Sequence, residues 1–276
     1  MWGTGKTLRP VADYFSSKGC DVFAPTLPDH QAGEPASEKI ATYSVRDYVE
    51  YLLDRVELDQ ETIIVGHSMG GLLAQFLAAA SPQPKGLILL ASAGPKGTNC
   101  FHIPSAISMS HANFRWRFWA KAHKPGWRLA RYALWNLVPE SKARTLFDQL
   151  TYESGRAFAE IVYWMFDRNN SIDLDLNRIQ MPTLLLGGEK DHIMVPSITR
   201  RLARRFPNHE LFLLKDHAHW LFDEPGNEKV YGLIDQWLAK HRLLDSPDSG
   251  DRSNASAEIL PLATSTMPAN ASTSVH

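Results

Sequence analysis

The stretch that most restricts how this chain can fold is Ile63 to Gly71, IIVGHSMGG. A β-branched run ends there in Gly66-His67-Ser68-Met69-Gly70, a G-x-S-x-G pentapeptide, and the apolar segment Leu72 to Ala80 follows at once. That order reads as strand, sharp turn, helix. A serine at the tip of so tight a turn is held in a strained backbone conformation. Only small flanking residues let strand and helix approach so closely, and this assigns Gly66 and Gly70 to those places. The turn lifts the Ser68 hydroxyl above the sheet edge, and the N–H groups at the start of the helix point toward any negative charge that develops beside it. The rival reading is a chance match in which Ser68 merely caps a helix. The strand before it and the helix after it argue against that.

The surrounding pattern alternates in the same way. Leu8 to Lys18 has helical apolar spacing at Leu8, Val11, Ala12 and Phe15, and Gly19 stops it. Asp21 to Pro25 reads as a short strand, and the polar loop Thr26 to Thr42 leads to a helix capped by Ser44 and running to about Leu53. Strand Glu61 to Val65 delivers Ser68, and Leu87 to Leu90 is another fully apolar strand. Strand, helix, strand again implies parallel neighbours joined by right-handed crossovers. After Met181-Pro182 come a strand Thr183 to Leu186, a helix Pro196 to Phe206, a strand Glu210 to Leu214 and a helix Glu228 to His241.

Between Gly94 and Gln180 the sequence is helical, aromatic and basic, which predicts an inserted cap. Five of the eight tryptophans lie there, Trp116, Trp119, Trp127, Trp135 and Trp164. Such a concentration suggests an apolar, bulky-substrate pocket under the cap, against the alternative that the rings simply pack a small helical subdomain. From His111 to Arg144 eight Lys or Arg residues face a single acid, Glu140, and most of these are expected on solvated helix faces. The predicted fold class is α/β, with a core at residues 1–93 and 181–244, a cap at 94–180 and a tail at 245–276. The Ser, Pro, Ala, Asn and Thr content of the tail predicts disorder.

Serine at neutral pH is a poor nucleophile, so the hydroxyl needs a base within hydrogen-bond reach and the base needs an orienting carboxylate. Asp191 sits just past the strand Thr183 to Leu186, and His219 just past the strand Glu210 to Leu214. Carboxyl ends of parallel strands share one edge, so both are expected beside Ser68. Glu189 competes for the role of acid and His217 for that of base.

On these three pieces, GHSMGG, PTLLLGGEKDHIMVP and HAHWLFDEP, the chain resembles an α/β-hydrolase-fold serine hydrolase in the order nucleophile, acid, histidine. The likeness extends over about residues 1 to 241. It implies an α/β-hydrolase fold in which Ser68 attacks a carbonyl, His219 takes and returns the proton, and Asp191 holds the imidazole. The family pattern matches His219-Trp220-Leu221 with Glu224-Pro225, which leaves His217 at the surface or behind the base. It also places the acid at Asp191, before Val195-Pro196, and has a histidine at His67 that packs or orients.

By the same resemblance one oxyanion donor is the backbone N–H of Met69. The second, carried by the family just after a His-Gly pair at the end of an early strand, falls at Met1. That strand and the His-Gly are absent from the sequence. Losing one donor typically costs about a hundredfold to a thousandfold in turnover. The chain is therefore expected to be either a truncated gene model or a relative with impaired activity.

The implied activity is hydrolysis of an ester, thioester or related acyl bond of a small-molecule substrate, without a cofactor or metal. Carbon–carbon cleavage, lactone opening, acyl transfer or a non-catalytic binding role are the alternatives. A formal net charge of −1 gives nothing global to attract nucleic acid. Cys20 and Cys100 are too few for a disulfide framework, and no apolar run approaches the roughly 20 residues that span a bilayer. A soluble, cytoplasmic protein is expected. Gly5-Lys6-Thr7 resembles the end of a phosphate-binding loop, but neither the earlier glycine nor a strand precedes it, and nucleotide binding is rejected.

Overall fold

Two uninterrupted apolar runs, Gly86–Leu90 and Thr183–Gly188, are buried along their whole length and form the centre of the sheet, as strands covered on both faces must. The structure, a computed structural model, describes residues 1–31, 37–80, 84–98, 102–110 and 116–244. Among these the sheet has strands β1 (Ile63–His67), β2 (Gly86–Leu90), β3 (Thr183–Gly188) and β4 (His209–Leu214), all parallel and in the order β1-β2-β3-β4. Val65 stands opposite Ile88, Ile88 opposite Leu184, and Leu186 opposite Phe212. β1 and β4 lie at the two edges and are only partly buried.

Helices α1 (Arg9–Ser17) and α2 (Val45–Leu53) precede β1. Ser44 starts α2 through a reciprocal cap, in which its Oγ accepts the Asp47 N–H at 3.0 Å and the Asp47 carboxylate accepts the Ser44 N–H at 2.7 Å. Helix α3 (Met69–Ala79) connects β1 to β2 and packs on both. The long connection from β2 to β3 carries short helices α4 (Ile103–Ser108), α5 (Trp127–Ala133), α6 (Glu140–Asp148) and α7 (Gly155–Val162). Helix α8 (Pro196–Ala203) joins β3 to β4, and α9 (Glu228–His241) closes the fold, with Trp237 lying within contact distance of Gly86 on β2. Residues Met1–Leu243 pack as one unit, the insertion between β2 and β3 included. No helix among the described residues is long and apolar enough to cross a membrane.

One expected strand does not form. Residues 21–25 belong to no ladder, and Phe23 is 64 % exposed. Apolar and β-branched content makes a strand only where a neighbouring chain takes its N–H and C=O groups, and among the described residues β1 pairs on its β2 side alone. Gly5-Lys6-Thr7 forms a single turn of 3-10 helix pressed on residues 24–26. A Cβ on Gly5 would fall 2.0 Å from the Ala24 oxygen, and the Gly5 N–H donates to Thr26 Oγ1 at 3.0 Å. Cys100, the tail 245–276 and parts of the loop 26–42 lie outside the described residues.

Candidate active site

All four strands end at the same edge, so Ser68, Ala91-Ser92, Asp191 and His217 to His219 follow one strand each on that edge. Ser68 has φ 54° and ψ −123°, a left-handed conformation that costs a non-glycine residue about 1–3 kcal/mol and persists only where surroundings enforce it. Here three backbone bonds enforce it. Ser68 N–H donates to Leu90 O at 3.1 Å, and Ser68 O accepts from Ala93 N at 3.0 Å and Gly71 N at 3.0 Å.

The two glycines assigned to the tight approach do not share it equally. A Cβ on Gly66 would lie 2.6 Å from both Gly70 O and Gly71 Cα, whereas one on Gly70 would meet nothing within 4 Å. The second close approach belongs to Gly71, whose missing Cβ makes room for Ser92. Gln75, a single polar residue within the apolar run of α3, braces this corner. Its amide donates to Gly71 O at 2.9 Å, Ser92 Oγ at 3.0 Å and Ala93 O at 2.8 Å. Met69 opens α3, where first-turn N–H groups have no acceptor within the helix.

Asp191 and His219 are brought together and fully buried. His219 Nδ1 lies 2.8 Å from Asp191 Oδ2, and Asp191 Oδ1 accepts the N–H groups of Ile193 at 2.7 Å and Met194 at 2.9 Å. The carboxylate therefore fixes Nδ1 as the donor and leaves Nε2 as the free acceptor. Nε2 is buried and has no hydrogen-bond partner, so the bond to the Ser68 hydroxyl is not formed in this arrangement. Such bonds are commonly long until substrate is bound. Glu189, the rival acid, is exposed.

His219 is gripped from three sides. Glu224, itself buried, accepts Ala218 N at 2.7 Å and Trp220 N at 3.1 Å, which brackets the residue between them. Burial outweighs these N–H groups and pushes the Glu224 carboxyl above its usual range. His67 Nε2 lies 2.8 Å from His219 O, its ring centroid is 4.8 Å from that of His219, and its other neighbours are Trp220 and Phe222. Burial, and after it repulsion from any proton that His219 takes up, holds His67 well below the ordinary histidine range and hence neutral. Of the two places expected for His217, the surface and behind the base, burial excludes the first. His217 is 1 % exposed, packs near Gly226, and burial lowers its pKa. Among the described residues no group of three or more His, Cys, Asp or Glu side chains is gathered as a metal would need.

The insertion braces the acid loop. Ser105 Oγ donates to Ile193 O at 2.7 Å, Asn136 Nδ2 to Lys190 O at 2.9 Å, and the Tyr132 ring stacks on His192 with centroids 4.2 Å apart. Of the five tryptophans expected under a cap, Trp135 is fully buried with its ring 5.8 Å from that of Trp220, the residue after His219. Trp127 instead packs between Arg144 and Phe147, while Trp116 and Trp119 are 83 % and 49 % exposed. The cluster is thus divided between core, surface and site. Met1, partly buried, leads into Trp2, which is buried against residues 123 and 153 of the insertion.

Residues 1–230 match the model of the alpha/beta hydrolase family. An uncharacterized hydrolase of Bacillus subtilis (strain 168), YugF, is 28 % identical over 216 residues, which are 74 % of this chain and 75 % of that protein. Among solved structures, the monoacylglycerol lipase of Paleococcus ferrophilus superposes with a TM-score of 0.61 at 21 % identity, over 87 % of this chain and 91 % of its own. The meta-cleavage product hydrolase of Pseudomonas fluorescens IP01 superposes with a TM-score of 0.59 at 18 % identity, over 87 % and 88 %. With a strained serine between β1 and α3, a parallel sheet and a match over most of its length, the chain belongs to the alpha/beta hydrolase family.

Proposed function

We propose that this hydrolase cleaves a carboxylic ester, thioester or related acyl bond of a small to medium apolar substrate through a covalent acyl-enzyme on Ser68. The observation that carries this reading is the buried His219–Asp191 pair, with Nδ1 committed to the carboxylate and Nε2 unclaimed, on a loop bonded to the residue next to a strained serine. Ser68 Oγ adds to the carbonyl carbon while His219 Nε2 takes its proton. Asp191 stabilises the imidazolium without accepting the proton. Negative charge on the former carbonyl oxygen is met by the Met69 N–H and a second N–H at Met1. Collapse expels the alcohol or thiol with the proton returned from His219, and water repeats the sequence to free the acid.

The same groups serve carbon–carbon cleavage when a carbanion rather than an alkoxide departs, and the fold shared with a meta-cleavage product hydrolase keeps that second reading in view. A fluorophosphonate probe and a panel of aryl and alkyl esters test the proposal. Labelling and turnover are expected in the native chain and absent in Ser68→Ala. Equal ester turnover in the two proteins overturns the acyl-enzyme route.

A further inference from the structure

Far from the serine in sequence, the insertion holds the first residues of the chain. His123 and Glu153 pair antiparallel, with His123 N donating to Glu153 O at 3.0 Å and Glu153 N to His123 O at 2.9 Å. Trp2 lies against this pair, 3 % exposed and in the left-handed region at φ 58°. Its indole N–H donates to His123 O at 3.2 Å, its carbonyl accepts the Thr151 N–H at 2.9 Å, and its backbone N–H points at Glu153 Oε2, 3.4 Å away. A large aromatic residue in that backbone region needs such a grip.

The Glu153 side chain is buried and surrounded by donors. Oε1 accepts Tyr48 Oη at 2.8 Å and Ser154 N at 2.8 Å, and His30 Nε2 stands 3.3 Å from it. His30 Nδ1 is 2.8 Å from the Pro28 carbonyl, so that nitrogen carries a proton. A neutral His30 would then hold an unprotonated Nε2 3.3 Å from a carboxylate oxygen, whereas the imidazolium makes this proximity attractive. Burial by itself would raise the Glu153 carboxyl, but the charge of His30 and the Ser154 N–H bring it down to about 2. Burial likewise opposes the charge on His30, and Glu153 overcomes it, leaving His30 above its ordinary value. The other titratable groups facing the pair are Tyr48 from α2, with Tyr43 behind it, His123 from the bridge and the Met1 nitrogen.

The Trp2 N–H is taken by Glu153, and the residue before it, Met1, is the one to which the proposed mechanism gives the second oxyanion donor. We propose that Glu153 is a positioning residue for the Ser68 site: from the insertion it holds Trp2 in its left-handed conformation and so sets where the Met1 N–H points, with His30 Nε2 3.3 Å from the same carboxylate. The catalytic half of this proposal rests on the acyl-enzyme reading above. The anchoring half does not.

The test uses the full chain. In Glu153→Gln, kcat on an aryl ester is expected to fall about a hundredfold, the size of effect that a misplacement of about 1 Å produces, with KM within about twofold. Hydrogen exchange should lose protection in peptides spanning residues 1–8 and 119–127, with residues 63–80 unchanged. Tyr48→Phe removes one donor and no charge, and should give an intermediate loss of both signals even if Glu153→Gln folds poorly. In His30→Gln the alkaline limb of the kcat profile due to His30 should vanish. Native-like kcat in Glu153→Gln, unchanged exchange at residues 1–8, or a His30→Gln profile that superposes on the native one overturns the proposal. Ester turnover that survives Ser68→Ala would instead remove the acyl-enzyme reading, and the exchange comparison would still decide whether Glu153 anchors Trp2.

Discussion

His67 Nε2 lies 2.8 Å from the backbone oxygen of His219, so the residue before the serine holds the residue that carries the proposed base. Neutral His67 donates one bond here, and glutamine can donate it as well. His67→Ala should lower kcat by about tenfold to a hundredfold with little change in KM, in keeping with the cost of small misplacements. His67→Gln should recover most of the loss. Steady-state kinetics on one ester decides it, and equal losses in both variants would mean that the ring, not its N–H, is what matters.

Asp191 serves both the imidazole and the turn that follows it, through Oδ2 and Oδ1 respectively. Asp191→Asn keeps the shape but offers an amide where a lone pair is needed, which favours the wrong histidine tautomer. A fall in kcat of about three to four orders of magnitude is expected, with circular dichroism unchanged. A loss below tenfold would point to another acid.

Gly66 and Gly70 provide a contrast within one turn. Gly66→Ala places a methyl 2.6 Å from backbone atoms of residues 70 and 71, and overpacking of this kind costs about 1–3 kcal/mol. Gly70→Ala meets nothing within 4 Å and sits in the first turn of α3, where alanine is favoured over glycine by up to about 1 kcal/mol. Denaturant midpoints should separate the two variants in opposite directions.

The His30–Glu153 pair also predicts a sign for stability against pH. His30 is raised in the folded state, so its contribution is complete below the unfolded value of about 6.5 and is lost as pH rises through the folded value. Glu153 is lowered, so its contribution is present above about 4.3 and is lost as pH falls toward about 2. His67 and His217 are lowered and act oppositely to His30, costing stability below about 6.5 because the unfolded chain binds their protons more readily. Subtracting the stability profile of His30→Gln from that of the native chain isolates the first effect. The difference should shrink with rising pH, and a flat difference between pH 6 and 9 would show that folding does not raise His30.

The strands β2 and β3 are legible because their apolar runs are continuous, and the placement of Ser68, Asp191 and His219 at one sheet edge because each follows a strand end. Residues 21–25 were misread because a strand is a property of two chains, and local composition describes one. The role of Gly71 was hidden by its neighbour Gly70, since the pentapeptide fixes spacing but not which hydrogen atom faces Ser92. Gln75 left a trace as one polar residue in the run LLAQFLAA. Glu153, His30 and Trp2 left none. Their contacts join positions more than a hundred residues apart, and no periodicity records such a pairing.

The bonds from Ser105 and Asn136 to the loop bearing Asp191 have a consequence for redesign. An insertion that only roofed the substrate could be exchanged for another to change selectivity. Here a graft that omits these two side chains leaves two loop carbonyls without donors and frees the backbone that aims the carboxylate. Selectivity and turnover are inherited as one piece, and a chimera must carry both ends of each bond to keep either.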